Sequence, residues 1–523
     1  MNRTIRSICR TAVLGSALSL VGVSAHALTN AVTTGDWDSS ATWDAGVPTI
    51  GNSAIINGGH TVTLSSFADT DLVDLGTVSG ETGNLLISEG TDLLIANSVA
   101  PGDFPSAIRI GQGAGSTGQL TMSGGLVQID GSGGFGVGDL MVGDVGTGTL
   151  NMSGGEMYAG HEMIIGLAPT AIGTVNVSGG QLGTNTQNIL LGWEGTAAMN
   201  ISGTGDVRSA DWIFASFLPG SNATITQTGG SFTATGGFVM GRRGNVSYAH
   251  SGGTLTANTF VIADNIDNPG NVQGATVTYD ISGSATTTIN FNTIIGAFAG
   301  GHGTVNQTGG TYNSGSIMVG RDGRGTWNIS GGVLNQTGTD PGVVENNFFV
   351  GRVGFADLPG SGQGAVNQTG GDVNIATNMF LGDFDQTYGE YRIAGGTLDV
   401  SGTVSIGGAL ASNAAADDVR VEPTGPDDAQ GQALNASGAL IVRGSAASIS
   451  IGGNLLANPA NKSDFRSDAS GANRSNSATL GFEILGSSGV SLISVAGIAD
   501  LDGAEIDLDL IGGYPPPLGR RST

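Results

Sequence analysis

The chain has 523 residues, of which 93 are glycine, 39% are hydrophobic and only 12% are charged. Glycine at this level without a Gly-X-Y period excludes collagen, and the apolar content excludes a disordered chain. Lys and Arg number 18 against 43 Asp and Glu, a net charge of −25; such a surface repels phosphate backbones, which argues against nucleic-acid binding, and at most attracts Ca²⁺ loosely.

Residues 1–27 have the anatomy of a secretory signal. Arg3, Arg6 and Arg10 precede an apolar stretch from Thr11 to Val23, too short to span a bilayer, and Ala25-His26-Ala27 fits small-x-small cleavage. The only cysteine, Cys9, lies inside this segment, so the exported chain is expected to carry no disulfide and no thiolate.

Residues 28–105 open with Gly35-Asp36-Trp37 and Ala41-Thr42-Trp43 and pass into alternating strands such as His60-Thr61-Val62-Thr63-Leu64. Aromatic residues ahead of strands suit an N-terminal cap and first coils that seal the end of a stack; a tryptophan platform for sugar is the alternative.

Residues 106–410 are a repeat. Two anchors recur about every 25 residues, a period that signals a solenoid. One is apolar-apolar-Gly, as in Met141-Val142-Gly143, Ile164-Ile165-Gly166, Leu190-Leu191-Gly192 and Phe349-Val350-Gly351. The other is Ser/Thr-Gly-Gly, as at Ser153, Ser178, Thr228, Ser251, Thr308, Ser330 and Thr369. Three residues before the second anchor the side chain is always apolar or aromatic, for example Leu150, Val175, Tyr248, Trp327 and Tyr391. One residue before it the slot also admits Gln227, His250, Gln307 and Gln368, which suggests a position near a corner.

No single unit of this kind can bury its own apolar face. Stacking at about 4.8 Å pairs each strand with its copies and builds one core, with glycines at the corners where φ is positive. The predicted fold is therefore an all-β, right-handed parallel β-helix. Asn151, Asn176, Asn200, Asn306, Asn328 and Asn367 share one slot in the strand and are expected to hydrogen-bond along the axis as a ladder. Each also lies in an Asn-x-Ser/Thr sequon, but a position inside a strand is a poor glycosylation acceptor.

Residues 411–435, small and acidic, read as a loop; irregular coils follow over 436–511, and the proline-containing tail 512–523 cannot pair in a sheet.

The units GTGTLNMSGG, GTVNVSGG and GTWNISGG, with MVG or IIG ahead of them, resemble the repeats of bacterial autotransporter passengers and PEP-CTERM-associated proteins. The opening DWDSSATWDAGVP and the closing VAGIADLDGAEIDLDLIGG are similar to the ends of the same proteins, so the resemblance covers most of residues 34–519. It implies export, display at or release from the cell surface, and no active site to carry over. Relatives continue into a membrane β-barrel or a Pro-Glu-Pro tail, whereas this chain stops at Thr523, which points to a free passenger or a shortened product. The implied role is a structural or adhesion-type rod presenting loops 352–365 and 411–435 to a surface glycan, matrix or envelope component.

The competing function is a polysaccharide lyase or hydrolase acting on acidic glycans. Its best candidates are Arg321, Arg352 and Asp383, which with Arg242 follow the apolar-apolar-Gly anchor and would stack on neighbouring coils. The simpler expectation for them is a surface charge ladder. His26, His60, His161, His250 and His302 are scattered without metal-ligand spacing. Gly133–Asp139 approaches an RTX calcium repeat but carries Gly138 where the acid is required. No catalytic residue, cofactor site or metal site is expected.

Overall fold

A computed structural model describes residues 27–96, 107–130, 138–264, 275–338, 346–352, 362–382, 387–407, 437–443, 446–457, 477–484, 492–501 and 504–510. Among them there is no helix, strands account for 62%, and all 43 strands belong to one parallel sheet that winds on itself as a β-solenoid. The signal-like segment to residue 26, the stretch 353–361 and the loop 411–435 lie outside the described residues, as does the tail 512–523.

Each coil has three sides. In one representative coil these are a long strand Thr147–Met152, a middle strand Glu156–Ala159 and a short strand Met163–Ile165. The Ser-Gly-Gly anchor is the corner between the first two sides, and the apolar-apolar-Gly anchor ends the third. Every side pairs in parallel with its copy one coil on: Thr147 with Ile172, Glu156 with Gln181, Met163 with Ile189. Stacking begins with Ala27–Asn30 on Asn52–Ile56 and is carried through to Glu505–Leu510.

The second glycine of the Ser-Gly-Gly corner is left-handed coil after coil: φ is +83° at Gly155, +79° at Gly180 and +75° at Gly371. A Cβ on Gly180 would stand 2.4 Å from the carbonyl oxygen of Gly155 below. Glycine is therefore required twice at this corner, by φ and by the closeness of the next coil.

Alternation along the long strand sends its second, fourth and sixth residues inward. The fourth forms a core column that runs Leu120, Leu150, Val175, Met199, Ile225, Tyr248 and onward through Trp327 and Tyr391 to Leu480 in register. The sixth position lies beside the Ser/Thr-Gly-Gly corner, as the sequence suggests, and is also fully buried. Gln227, His250, Gln307 and Gln368 are 0–1% exposed and face the core immediately before that corner. The glutamine amides donate to backbone carbonyls of the next coil: Gln227 Nε2 to that of Thr254 at 3.0 Å, Gln307 Nε2 to that of Val333 at 3.0 Å and Gln368 Nε2 to that of Thr397 at 2.9 Å.

The asparagine ladder forms as the repeat predicts. Asn176 Nδ2 donates to Asn151 Oδ1 and Asn200 Nδ2 to Asn176 Oδ1, each at 2.8 Å. A second ladder, on the middle strand, joins Asn374 to Asn335 and Asn335 to Asn313, each at 2.9 Å. At the N-terminal end Trp37 and Trp43 are buried, edge to face with centroids 5.1 Å apart, and Trp43 Nε1 donates to the Trp37 carbonyl. Burial takes both rings out of reach of a sugar and makes them core.

Candidate functional site

The short strand defines the flank on which the sequence places its charged candidates. Its first and third residues face the core and its middle residue faces out, yet Met141, Leu190, Val239, Val261, Met318 and Phe349 at that outward position are all buried. They are covered by side chains from the turn after the glycine anchor, including Leu167, Trp193 and Phe298, which build an outer apolar strip separate from the core.

Arg242, Arg321 and Arg352 belong to this strip. The register pairs Arg321 with Arg352 on the next coil, as the repeat predicts. They are not a surface charge ladder, however: Arg242 and Arg352 are each 7% exposed. The Arg352 guanidinium carbon lies 3.8 Å from the centroid of Phe349, that of Arg242 lies 4.5 Å from Phe217, and that of Arg321 lies 5.4 Å from Phe298. Arg321 Nε also stands 3.6 Å from Asp322 Oδ2. Burial lowers the Arg321 pKa, with Asp322 and Asp264 acting the other way. Planar guanidinium groups stacked on aromatic faces explain why the positive charge can sit under cover here. Asp383, the third member of the sequence constellation, lies outside the described residues.

Among the described residues, one group of His, Asp and Glu side chains comes close enough together to share a ligand, at the corner leading into the short strand. Pairing of Leu140 with Met163 puts Asp139 and Glu162 in the same slot on adjacent coils. Asp139 Oδ1 lies 2.9 Å from His161 Nδ1 and accepts a hydrogen bond from the Glu162 backbone N–H at 3.0 Å. Glu162 Oε1 accepts from Asn188 Nδ2 at 3.1 Å, and Asn188 occupies the same slot one coil further on. Asp139 and His161 are buried and Glu162 is half-buried.

The environment fixes the direction of each titration. Hydrogen bonding to Asp139 raises the His161 pKa against the opposing effect of burial. Burial raises the Glu162 pKa, with the Asn188 bond acting the other way. One ligand atom from each of Asp139, His161 and Glu162 lies within 4.8 Å of the others. Such a trio can hold a proton or a cation.

Sequence spacing misses this trio because Asp139 and His161 are 22 residues apart, one coil, and only stacking joins them. The signal was present in the anchors themselves. Asp139-Leu140-Met141-Val142-Gly143 and Glu162-Met163-Ile164-Ile165-Gly166 align both acids two residues before the same motif.

The fold is thus that of a parallel β-solenoid. Comparison of the chain with protein-family models, with curated proteins and with solved structures finds no match.

Proposed function

We propose that this chain is an exported, non-catalytic rod of the structural or adhesion type, related to autotransporter passengers and PEP-CTERM-associated repeat proteins. It acts at the cell surface or outside the cell. The observation that carries this reading is the core column kept in register from Leu120 to Leu480, coil upon coil. Such a stack transmits rigidity along its axis and repeats the same outward side chains at the strand spacing. A surface glycan, matrix or envelope component would meet a periodic face of Thr and Asn with excess negative charge around it.

Export is supported by the basic, apolar and Ala-x-Ala order of residues 1–27. The place of the arginines supports a structural role in turn, since Arg321 and Arg352 lie against aromatic rings on the flank. A lyase arginine must instead face its substrate.

The test has two arms on the purified chain. Arrays of bacterial and host glycans and of matrix proteins are expected to show saturable binding to at least one component. Acidic polysaccharides incubated with the chain are expected to release no unsaturated sugar and no reducing ends; release of either overturns the non-catalytic reading.

A further inference from the structure

We propose that Asp139, His161 and Glu162 form a site for one divalent transition-metal cation of the Zn²⁺ type, bound between two adjacent coils. The donor set is one imidazole nitrogen and two carboxylate oxygens, which suits Zn²⁺ and disfavours Ca²⁺ and Mg²⁺, whose sites are built from oxygen alone. This inference is independent of the role proposed for the rod as a whole.

The geometry is close to what binding requires. Donors about 2.0–2.1 Å from a tetrahedral ion stand about 3.3 Å from one another. His161 Nδ1 and Asp139 Oδ1 are 2.9 Å apart, so an ion replacing the proton between them moves the pair by only a few tenths of an ångström. The Glu162 carboxylate, already within 4.8 Å of the other two donors, completes a three-ligand site by a side-chain adjustment and leaves one position for water. Its other oxygen contact, the Asn188 amide, supplies the outer hydrogen bond that commonly orients a ligating carboxylate.

A second observation is the composition of the slot from coil to coil. The parallel register puts two carboxylates, Asp139 and Glu162, in the same slot on adjacent coils, with a ligand atom of each within 4.8 Å of the other, and acids this close favour a cation between them. Elsewhere in the same slot the side chain is neutral, at Asn188 and Trp212. A dication would take one oxygen from each carboxylate and Nδ1 of the neutral imidazole, the form in which histidine ligates.

The experiment is a calorimetric titration of the full chain, stripped with a chelator, using ZnCl₂ and separately CaCl₂. The wild type is expected to take up one equivalent of Zn²⁺ and to bind Ca²⁺ far more weakly. Glu162→Gln keeps the acceptor for Asn188 and is expected to fold, with Zn²⁺ affinity reduced by at least about tenfold; His161→Gln should weaken it similarly or more. Zinc uptake left unchanged in both variants, no uptake by the wild type, or equal affinity for Ca²⁺ overturns the proposal.

Discussion

The hydroxyl of Tyr391 donates a hydrogen bond to Oε1 of Gln368, 2.6 Å away and one coil earlier in the stack, with both residues buried in the core. The same diagonal recurs where Tyr248 meets Gln227 and where the Tyr279 hydroxyl meets Nδ1 of His250 at 2.8 Å. At Gln227, His250 and Gln368 a polar residue in the sixth position of one long strand is thus matched by a tyrosine in the fourth position of the next, whereas the fourth position above Gln307 is Trp327. Burial of a polar atom without a partner costs more than its hydrogen bond gains, so the pairs are expected to be energetically coupled.

Tyr391→Phe should therefore lower stability by about 1–3 kcal/mol, since it leaves Gln368 Oε1 in the core without its phenolic donor. Gln368→Leu in the Tyr391→Phe background should recover part of that loss. Denaturant midpoints of the wild type, the single variants and the double variant measure the coupling; additive effects would show that the pair is not a unit.

His250 gives a pH dependence. Burial lowers its pKa from 6.5 to about 4 in the fold, so it is neutral where it accepts from Tyr279. The unfolded chain binds a proton at this residue below pH 6.5 while the folded chain does not until about pH 4. Its contribution is accordingly full above the unfolded value and is lost as pH falls towards the folded one, about 3 kcal/mol in all. His250→Gln should flatten that part of the stability curve, and thermal unfolding followed across the range checks it.

The asparagine ladders have a direction, each amide donating to the coil before it. Asn306 Nδ2 donates to Asp280 Oδ1 at 2.7 Å, and Asp280 stacks on Ala249, so an acceptor-only side chain is tolerated where a ladder begins. Asn176 lies between Asn151 and Asn200 and must both donate and accept. Asn176→Asp should cost about 1–3 kcal/mol by setting a carboxylate against the Asn151 carbonyl oxygen, whereas Asp280→Asn should be nearly neutral. Urea midpoints of the two variants provide the comparison.

Gly180 and Gly220 separate backbone strain from crowding. Both have positive φ, +79° and +87°, but a Cβ at Gly220 meets nothing within 4 Å. Gly220→Ala should cost about 1–2 kcal/mol, the left-handed penalty alone. Gly180→Ala adds a contact with the backbone of the neighbouring coil and should cost clearly more, or reduce the yield of folded protein. Equal midpoints would show that the coils yield at this corner.

The repeat made much of this molecule legible before any coordinates. In a solenoid, equal positions in successive units are related by one translation along the axis, so periodicity in the chain is adjacency in space. The core column through Leu150, Tyr248 and Trp327, the left-handed glycines at Gly155 and Gly180, the Asn151–Asn176–Asn200 ladder and the stacking of Arg321 on Arg352 all follow from that relation. What only the tertiary structure decided are relations between different positions on neighbouring coils, and the cover over outward side chains. These put Gln227 and His250 inside the core, lay Arg352 on Phe349, and bring His161 to Asp139 and Glu162. A period records which residues stack; it does not record which way a long side chain leans or what closes over it, because those depend on packing in three dimensions.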